Sequence, residues 1–184
     1  MEWKSSGKLM ADSLLKEVGF ELTYDPVSFV PIQCTKEEWQ KGIMAVEEKM
    51  IQSPRSSVGP KEADESGIGI LKHTFVDGAY IRQITMQKGS LFTSQIHKVK
   101  HPYFILEGDC SVLTEKGATR MKAPFWGITE PGTKRLLYIH EKTIWITVHV
   151  TESTDLDAIK KDIIAETFEE LDSEHLLTKA KEKL

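Results

Sequence analysis

Short segments in which apolar and polar residues alternate fill the middle of the chain, from position 68 to position 150. Alternation with a period of two is typical of β-strands that bury one face. Val76-Asp77-Gly78 and Glu115-Lys116-Gly117-Ala118 stand between such segments and are typical of hairpin turns. We predict eight or nine antiparallel strands in a closed or double-sheet arrangement, because closure removes exposed strand edges. The predicted strands are 69–75, 79–86, 91–97, 103–107, 110–114, 119–122, 125–129, 135–140 and 143–150.

The segment 35–52 has the period of an amphipathic helix. Thr35 is a favourable N-cap, and Glu38 follows three residues later, which together predict a capping box. The apolar residues that recur on one side of this helix are Trp39, Ile43, Val46 and Met50. Such a stripe normally packs within its own domain, so we predict that it covers the outside of the sheet. Contact with a partner helix is the alternative.

Helical period returns after position 155, in a region with more acidic than basic residues. The apolar positions on one side of this region are Leu156, Ile159, Ile163, Phe168 and Leu171. A last helix is predicted to begin near 173. We predict that the acidic residues make up the solvated side of these helices.

These patterns predict three regions. They are an N-terminal helical region and loop over 1–67, a β-barrel over 68–150, and acidic C-terminal helices over 151–184. The loop, at 53–67, is rich in proline, glycine and serine, which indicates a solvated connection or a lid. Near the N-terminus, 11–18 predicts a short helix and 20–24 a strand.

Composition excludes several kinds of partner. The chain carries 24 lysines and arginines against 28 aspartates and glutamates, and no basic stripe with interleaved aromatics, so nucleic acid is not expected to bind. No apolar run approaches the ~18 residues of a membrane span, and no signal peptide is visible, so no membrane partner is expected. Cys34 and Cys110 are far apart and lack metal spacing, which predicts reduced thiols in a cytoplasmic protein.

Side chains suited to chemistry concentrate between Gly89 and Gly108. Gln95 and His97 are two residues apart on a predicted strand and therefore project from the same face. His101 opens the next strand, from which it can face back toward them. Two imidazoles and an amide that converge on one point can hold a metal ion or grip a ligand.

The spacing of Gly89, Gln95, His97, His101 and Gly108 resembles the first signature motif of the cupin family. Gln95 stands where that motif has its first histidine, and His101 stands where it has a glutamate. The segment 130–135 resembles the second motif more weakly.

The chain also resembles the small cupin-like proteins encoded by tailed phages. The segments that carry this likeness are 34–39, 96–98, 131–135 and 145–149. The resemblance covers about 68–150 and implies a mainly β fold, a cupin-like jelly-roll β-barrel with an N-terminal helix and C-terminal helices. For a phage-encoded protein the expected location is the host cytoplasm. The resemblance also suggests a homodimer, with the Trp39 helix and the segment before it crossing to the partner.

By this resemblance, the ligand positions of a cupin metal site fall on Gln95, His97, His101 and Arg135. An arginine stays charged and offers no lone pair, so Arg135 cannot bind a metal. One divalent metal, held by the two histidines, the Gln95 carbonyl and water, is the candidate cofactor. That ligand set suits zinc or nickel better than iron.

Because this set of residues lacks a carboxylate, it favours an anionic ligand, with Arg135 as a clamp for a carboxylate or phosphate. An unperturbed histidine titrates near pH 6.5. We therefore expect a fall in pH from 8 to 6 to weaken metal binding and to strengthen anion binding.

The further candidates for the ligand site are His149, Tyr103 and Trp126. His149 shares one face of the strand 143–150 with Trp145 and Thr147, but the pattern leaves open whether that face points inward. If it does, His149 is the best third imidazole. Tyr103 and Trp126 are candidates to line a pocket, with core packing as the alternative.

The function that these residues favour is binding of a small, anionic molecule in a degenerate cupin pocket, with or without a divalent metal. One alternative is a metal-dependent cupin enzyme, either an oxygenase or an isomerase. The other is a structural or interaction protein whose pocket is vestigial. The sequence leaves open whether the protein is an enzyme.

Overall fold

The structure is a computed structural model that describes residues 35–51, 56–65 and 67–171. Within these residues the strands are β1 (Ser56–Val58), β2 (Gly69–Val76), β3 (Ala79–Met86), β4 (Leu91–Thr93), β5 (Ile96–His97), β6 (His101–Thr114), β7 (Gly117–Lys122), β8 (Phe125–Thr129), β9 (Leu136–Val150) and β10 (Ile164–Ala165). The helices are α1 (Lys36–Met50), α2 (Pro60–Glu65) and α3 (Leu156–Ile163). The predicted mainly β class, with helices before and after the strands, is confirmed.

Eight of the strands form one sheet that curls into a half-barrel around its two longest members, β6 and β9. These two strands pair with each other along most of their lengths. The first part of β6 lies between β8 and the end of β9, which in turn pairs with β3 and then β2. The last part of β6 lies between β7 and the start of β9, which pairs with β4 and then β1. The sheet therefore has two arms, and their inward faces share one apolar core.

The bend between the two arms lies at Gly108. Its φ of +102° suits glycine, and a Cβ there would collide with the Lys142 carbonyl oxygen. The register between β6 and β9 shifts at this point, between Ile105 and Cys110. A bulge of this kind bends a strand without ending it. For that reason, the strands predicted at 103–107 and 110–114 are one strand, as are those at 135–140 and 143–150.

Helix α1 forms as predicted. The Glu38 amide donates to Thr35 Oγ1 at 3.1 Å, and the Thr35 amide donates to Glu38 Oε2 at 2.7 Å, which completes the capping box. The apolar stripe of the helix is buried in a core cluster, and its members are Trp39, Ile43, Val46 and Met50. The prediction of packing within the same chain is confirmed, and this stripe is not exposed to a partner.

The stretch predicted as a loop at 53–67 contains β1 and α2. Strand β1 joins the sheet by parallel pairing with β4. Ala63 on α2 is fully buried, and a Cβ added at Gly69 would lie 2.9 Å from the Ala63 Cβ. The loop prediction was wrong for 56–65, because Ser57, Gly59 and Pro60, which indicated a loop, lie at a tight strand-to-helix corner.

Helix α3 begins at the predicted position, with Asp155 as its N-cap. Ile159 and Ile163 are buried on its inner side, as the period predicted. The helix then ends at β10, which pairs with β5 and brings the C-terminal region against His97. The segments predicted at 11–18, at 20–24 and from 173 onward lie outside the described residues. Among the described helices, none is long and apolar enough to cross a membrane.

Candidate functional site

A small cavity opens on the inward face of the sheet, between its two arms. Its volume is about 60 Å³. The residues that line it are Gly59, Arg82, Ile84, Met86, Phe92, Thr93, Ser94, Gln95, His97, Arg135, Leu137, Trp145 and Thr147. Most of this wall is apolar, and two guanidinium groups, from Arg82 and Arg135, interrupt it.

Arg135 immediately precedes β9 and is buried, with 6% of its surface exposed. Its Nη2 donates to Thr129 Oγ1 at 2.9 Å, and its guanidinium carbon lies 5.2 Å from the centroid of the Tyr103 ring and 5.8 Å from that of Trp145. Its backbone amide donates to Ser94 Oγ at 2.9 Å. Burial lowers the pKa of this guanidinium from its ordinary value, yet an arginine keeps its charge in proteins.

Arg82 reaches the same cavity from β3, where it lies opposite Thr147 of β9. Within the part of the chain that the structure describes, its guanidinium has no hydrogen bond or ion pair. Burial lowers its pKa as well. No sequence motif pointed to Arg82, although Tyr80, Ile84 and Met86 alternate with it on one face of the strand. A lone arginine on an otherwise apolar inward face is the signal that could have found it.

Three imidazoles cluster beside the cavity. His97 and His101 have ring centroids 4.5 Å apart, and His101 and His149 have ring centroids 4.2 Å apart. All three side chains are buried. His101 opens β6, and because Tyr103 pairs with Thr147, the residue two positions before Tyr103 lies beside His149. The face that carries Trp145, Thr147 and His149 therefore points inward, which settles the orientation that the sequence left open.

The motif at 130–135 is hydrogen-bonded to the backbone of His97, one member of this cluster. The Gly132 amide donates to the His97 carbonyl at 2.7 Å, and the His97 amide donates to the Thr133 carbonyl at 3.3 Å. Gly132 has a φ of +80°, which lets the loop turn at that point. The segments of the two sequence motifs are thus hydrogen-bonded to each other, and Arg135 is brought close to His97.

Each imidazole in the cluster has one nitrogen with no hydrogen-bond partner among the described residues. These atoms are His97 Nδ1, His101 Nε2 and His149 Nδ1. The other nitrogen of His101, Nδ1, lies 3.0 Å from the Val99 carbonyl oxygen, and that of His149, Nε2, lies 3.3 Å from Thr147 Oγ1.

Burial is the main cause that lowers the pKa of all three imidazoles. It lowers the pKa of His101 to about 4 and that of His149 to about 3, and it holds the pKa of His97 well below its usual value. Repulsion from Arg82 lowers all three pKa values further. The imidazoles are therefore neutral between pH 8 and 6. The predicted weakening of metal binding and strengthening of anion binding by protonation of the histidines is expected at more acidic pH.

The structure brings some of the remaining predicted residues to the cavity or beside it, and leaves one of them away from it. Gln95 is half-buried and lines the cavity, while Tyr103 is buried and lies beneath Arg135. Trp126 is not brought to the cavity, since 67% of its surface is exposed. Its neighbour Phe125 stacks on Tyr103, with ring centroids 6.3 Å apart, and alternation along β8 sends Trp126 to the opposite face.

Thr93 adds a polar group to the cavity wall that the sequence analysis did not consider. It is 2% exposed, and its Oγ1 has no hydrogen-bond partner among the described residues. A buried hydroxyl without a partner is costly in an empty site, and a bound polar ligand would satisfy it.

A metal ion fits this site poorly. Among the described residues, no group of three or more histidine, cysteine, aspartate or glutamate side chains is arranged to hold one. The three imidazoles are neutral, as metal ligands must be, but Arg82 and Arg135 lie close enough to the cluster to repel a cation. The charges of Arg82 and Arg135 therefore favour an anion over a cation at this site.

No protein-family model matches the chain, and no curated protein matches it. Solved structures that are similar to it include a protein of unknown function from Vibrio parahaemolyticus, 13% identical, with a TM-score of 0.41 over 45% of this chain and 88% of that one. A cupin-2 domain protein from Shewanella frigidimarina is 7% identical, with a TM-score of 0.38 over 44% of this chain and 79% of that one. A cupin superfamily protein from Desulfitobacterium hafniense is 8% identical, with a TM-score of 0.39 over 45% of this chain and 76% of that one. Each of these three likenesses covers less than half of this chain at a TM-score below 0.5.

Proposed function

We propose that the protein binds a small organic or inorganic anion in the cavity between the two arms of the sheet. The observation that carries the proposal is the presence of two guanidinium groups, from Arg82 and Arg135, on one small and mostly apolar cavity. Neither guanidinium forms an ion pair with a carboxylate among the described residues. The motif spacing from Gly89 to Gly108 and the curled β-sheet make a degenerate cupin the favoured family assignment.

Uncompensated charge is the physical reason for this proposal. Moving an ion out of water costs several kcal/mol unless a partner of opposite charge and hydrogen bonds offset the loss. Arg135 contacts the Thr129 hydroxyl and the faces of Tyr103 and Trp145, which are all formally neutral. The Glu115 carboxylate raises the pKa of Arg135 but forms no ion pair with it among the described residues. A carboxylate or phosphate between Arg82 and Arg135 would supply the missing negative charge through charge-assisted hydrogen bonds.

The neutral groups on the same wall extend this recognition. Gln95 offers both a donor and an acceptor, and Thr93 offers a hydroxyl without a partner among the described residues. His97 lines the cavity as a neutral imidazole and can donate one hydrogen bond. The cavity volume of about 60 Å³ is far below the ~300–1,000 Å³ typical of sites for drug-sized ligands. The group bound there is therefore a small one.

Mass spectrometry of small molecules released from the purified, denatured protein tests this proposal. We expect an anionic compound in wild-type protein and at least a tenfold lower amount in Arg82→Gln. Arg120→Gln is the matched control, because Arg120 is exposed and pairs with Asp109 on the surface. The proposal is contradicted if wild type and Arg82→Gln release the same compounds in equal amounts. A vestigial pocket predicts no enriched compound in any of the three proteins.

A divalent metal is the second candidate ligand, and the enzyme alternative depends on it. What favours it is the cluster of three neutral imidazoles, each with one nitrogen that lacks a partner among the described residues. Zinc and nickel accept imidazole ligands, whereas the two guanidiniums oppose binding. Elemental analysis of protein dialysed against zinc distinguishes the candidates. About one zinc per chain that is lost in His149→Ala would favour the metal, and the absence of zinc would leave the anion as the ligand.

A further inference from the structure

A second cavity adjoins the first and is the larger of the two, at about 180 Å³. Helix α1, the residues before β5, and the C-terminal segment around β10 enclose it. Three of its lining residues, Gly59, Ser94 and Gln95, also line the cavity that contains the guanidiniums. The two cavities are therefore neighbours with a shared wall, and we name them the inner cavity (Arg82 and Arg135) and the outer cavity (Glu47 and Lys134).

The outer cavity contains a buried ion pair. Lys134 Nζ lies 2.7 Å from Glu47 Oε1, and the two side chains are 7% and 8% exposed. Lys134 Nζ also donates to the Ser94 carbonyl oxygen at 3.1 Å, which ties the pair to the shared wall. A buried ion pair of this kind often adds little to stability compared with apolar residues of the same size. Its presence beside a cavity therefore points to a ligand that uses it.

The charges around the outer cavity balance, unlike those around the inner one. Lys160 and Glu166 form a second pair, with Nζ and Oε1 3.1 Å apart, and these two residues also line the cavity. The outer lining thus holds two cations and two carboxylates, while the inner lining holds two cations. Lys134 and Arg135 are adjacent in sequence and serve the outer and inner cavities respectively.

We propose that the two cavities are two subsites for one ligand, a small organic anion with a hydroxylated tail. Its carboxylate or phosphate occupies the inner cavity between Arg82 and Arg135, which rests on the proposed function. Its tail passes Gln95 into the outer cavity. A tail that both donates and accepts hydrogen bonds fits there, because Lys134 only donates and Glu47, when ionised, only accepts.

Isothermal titration of the full-length protein with four anions at pH 7.5 tests this proposal. Threonate and butyrate are carboxylates of four carbons that differ in the hydroxyl groups of the tail. Glycerol 3-phosphate and propyl phosphate differ in the same way. We expect the hydroxylated member of at least one pair to bind at least tenfold more tightly than its apolar counterpart, and the pair that shows this preference identifies the anionic group.

Two variants separate this proposal from the one on which it rests. The double variant Glu47→Leu with Lys134→Met removes the ion pair without leaving one charge unpaired, and it should abolish the preference for the hydroxylated ligand while the apolar anion still binds. Lys160→Gln at the exposed rim should reduce the preference without loss of folding, even if the double variant is unstable. Arg82→Gln should weaken binding of all the anions that bind to wild type.

The outcomes are distinct. If hydroxylated and apolar anions bind equally to wild type, the subsite proposal is overturned and the anion site stands. If the preference persists in a folded double variant, the outer cavity does not hold the tail. If none of the four anions binds to wild type, both proposals fail.

Discussion

The guanidinium carbon of Arg135 lies 5.2 Å from the centroid of the Tyr103 ring. The Tyr103 ring in turn stacks on Trp145, with centroids 4.6 Å apart and ring planes 14° from parallel. A cation over aromatic faces gains electrostatic stabilisation without being neutralised. Arg135 is therefore fixed in a buried position while its charge stays available to a ligand in the inner cavity.

Gly127 makes room for this arrangement. A Cβ at that position would lie 2.6 Å from the Tyr103 hydroxyl oxygen and 2.7 Å from the ring carbon that bears it. We predict that Gly127→Ala displaces the Tyr103 ring, lowers the free energy of unfolding by about 1–3 kcal/mol and weakens anion binding. Chemical unfolding and a titration with acetate measure the two effects. If both are unchanged, Tyr103 is not held against Gly127 as described.

Substitution of Thr93 distinguishes a role of its hydroxyl in ligand binding from a role in stability. Because the hydroxyl is buried and has no partner among the described residues, Thr93→Val removes an unsatisfied polar group. It should leave the free energy of unfolding unchanged or raise it by up to about 1–3 kcal/mol. Affinity for acetate or inorganic phosphate should fall about threefold to tenfold, since the ligand loses a hydrogen bond.

Thr143→Val is the matched control for that experiment. Thr143 is equally buried, but its hydroxyl donates to the Glu141 carbonyl oxygen at 2.8 Å. It should lose about 1 kcal/mol of stability and keep its affinity for anions. If Thr93→Val and Thr143→Val both lose stability and both keep their affinity for anions, Thr93 does not face the ligand.

The buried histidines predict that acid destabilises the protein. Their pKa values, about 4 for His101 and about 3 for His149, lie below the value near 6.5 of an unfolded chain. The unfolded state therefore binds more protons between about pH 6.5 and 4, and the stability present above pH 6.5 is lost as the pH falls through that range. We expect a loss of about 1–2 kcal/mol per imidazole between pH 6.5 and 4.5.

Urea unfolding at several pH values measures this dependence. His149→Gln removes one of the titrating groups and should flatten the curve. His140→Gln should not, because His140 lies outside the cluster and pairs with Ser111 at 2.7 Å. A wild-type curve that is flat from pH 6.5 to 4.5 would mean that the imidazoles are not buried as neutral groups.

Local patterns predicted the fold class well because they act over a few residues. The hairpin of β2 and β3 follows from Asp77-Gly78, and the start of α1 follows from Thr35 and Glu38. Continuity could not be predicted in the same way. The residues around Gly108 are typical of a turn, and only pairing with a distant strand reveals a bulge. Equally, the short strand β1 depends on β4, which lies more than thirty residues further along the chain.

The site was predicted only in part, because local patterns indicate some of its residues and distant strand pairing determines the others. Motif spacing indicated Gln95, His97, His101 and Arg135, and the fold brings these residues into one neighbourhood. Arg82 was missed because β3 contains no motif. Only the pairing of β3 with β9 and the curl of the sheet place Arg82 on the cavity that Arg135 also lines. The inward orientation of His149 required the register between β6 and β9, which no local pattern contains.

The affinity of the protein for the smallest anions shows whether Arg82 and Arg135 form an anion site. Isothermal titration at pH 7 with acetate, and separately with inorganic phosphate, compares wild type, Arg82→Gln and the control Arg120→Gln. An anion site formed by Arg82 and Arg135 predicts that at least one of the two anions binds to wild type and to Arg120→Gln with equal affinity. It also predicts at least ~10-fold weaker binding to Arg82→Gln, equivalent to about 1.4 kcal/mol. Equal affinity of wild type and Arg82→Gln, or no binding of either anion to wild type, would contradict it.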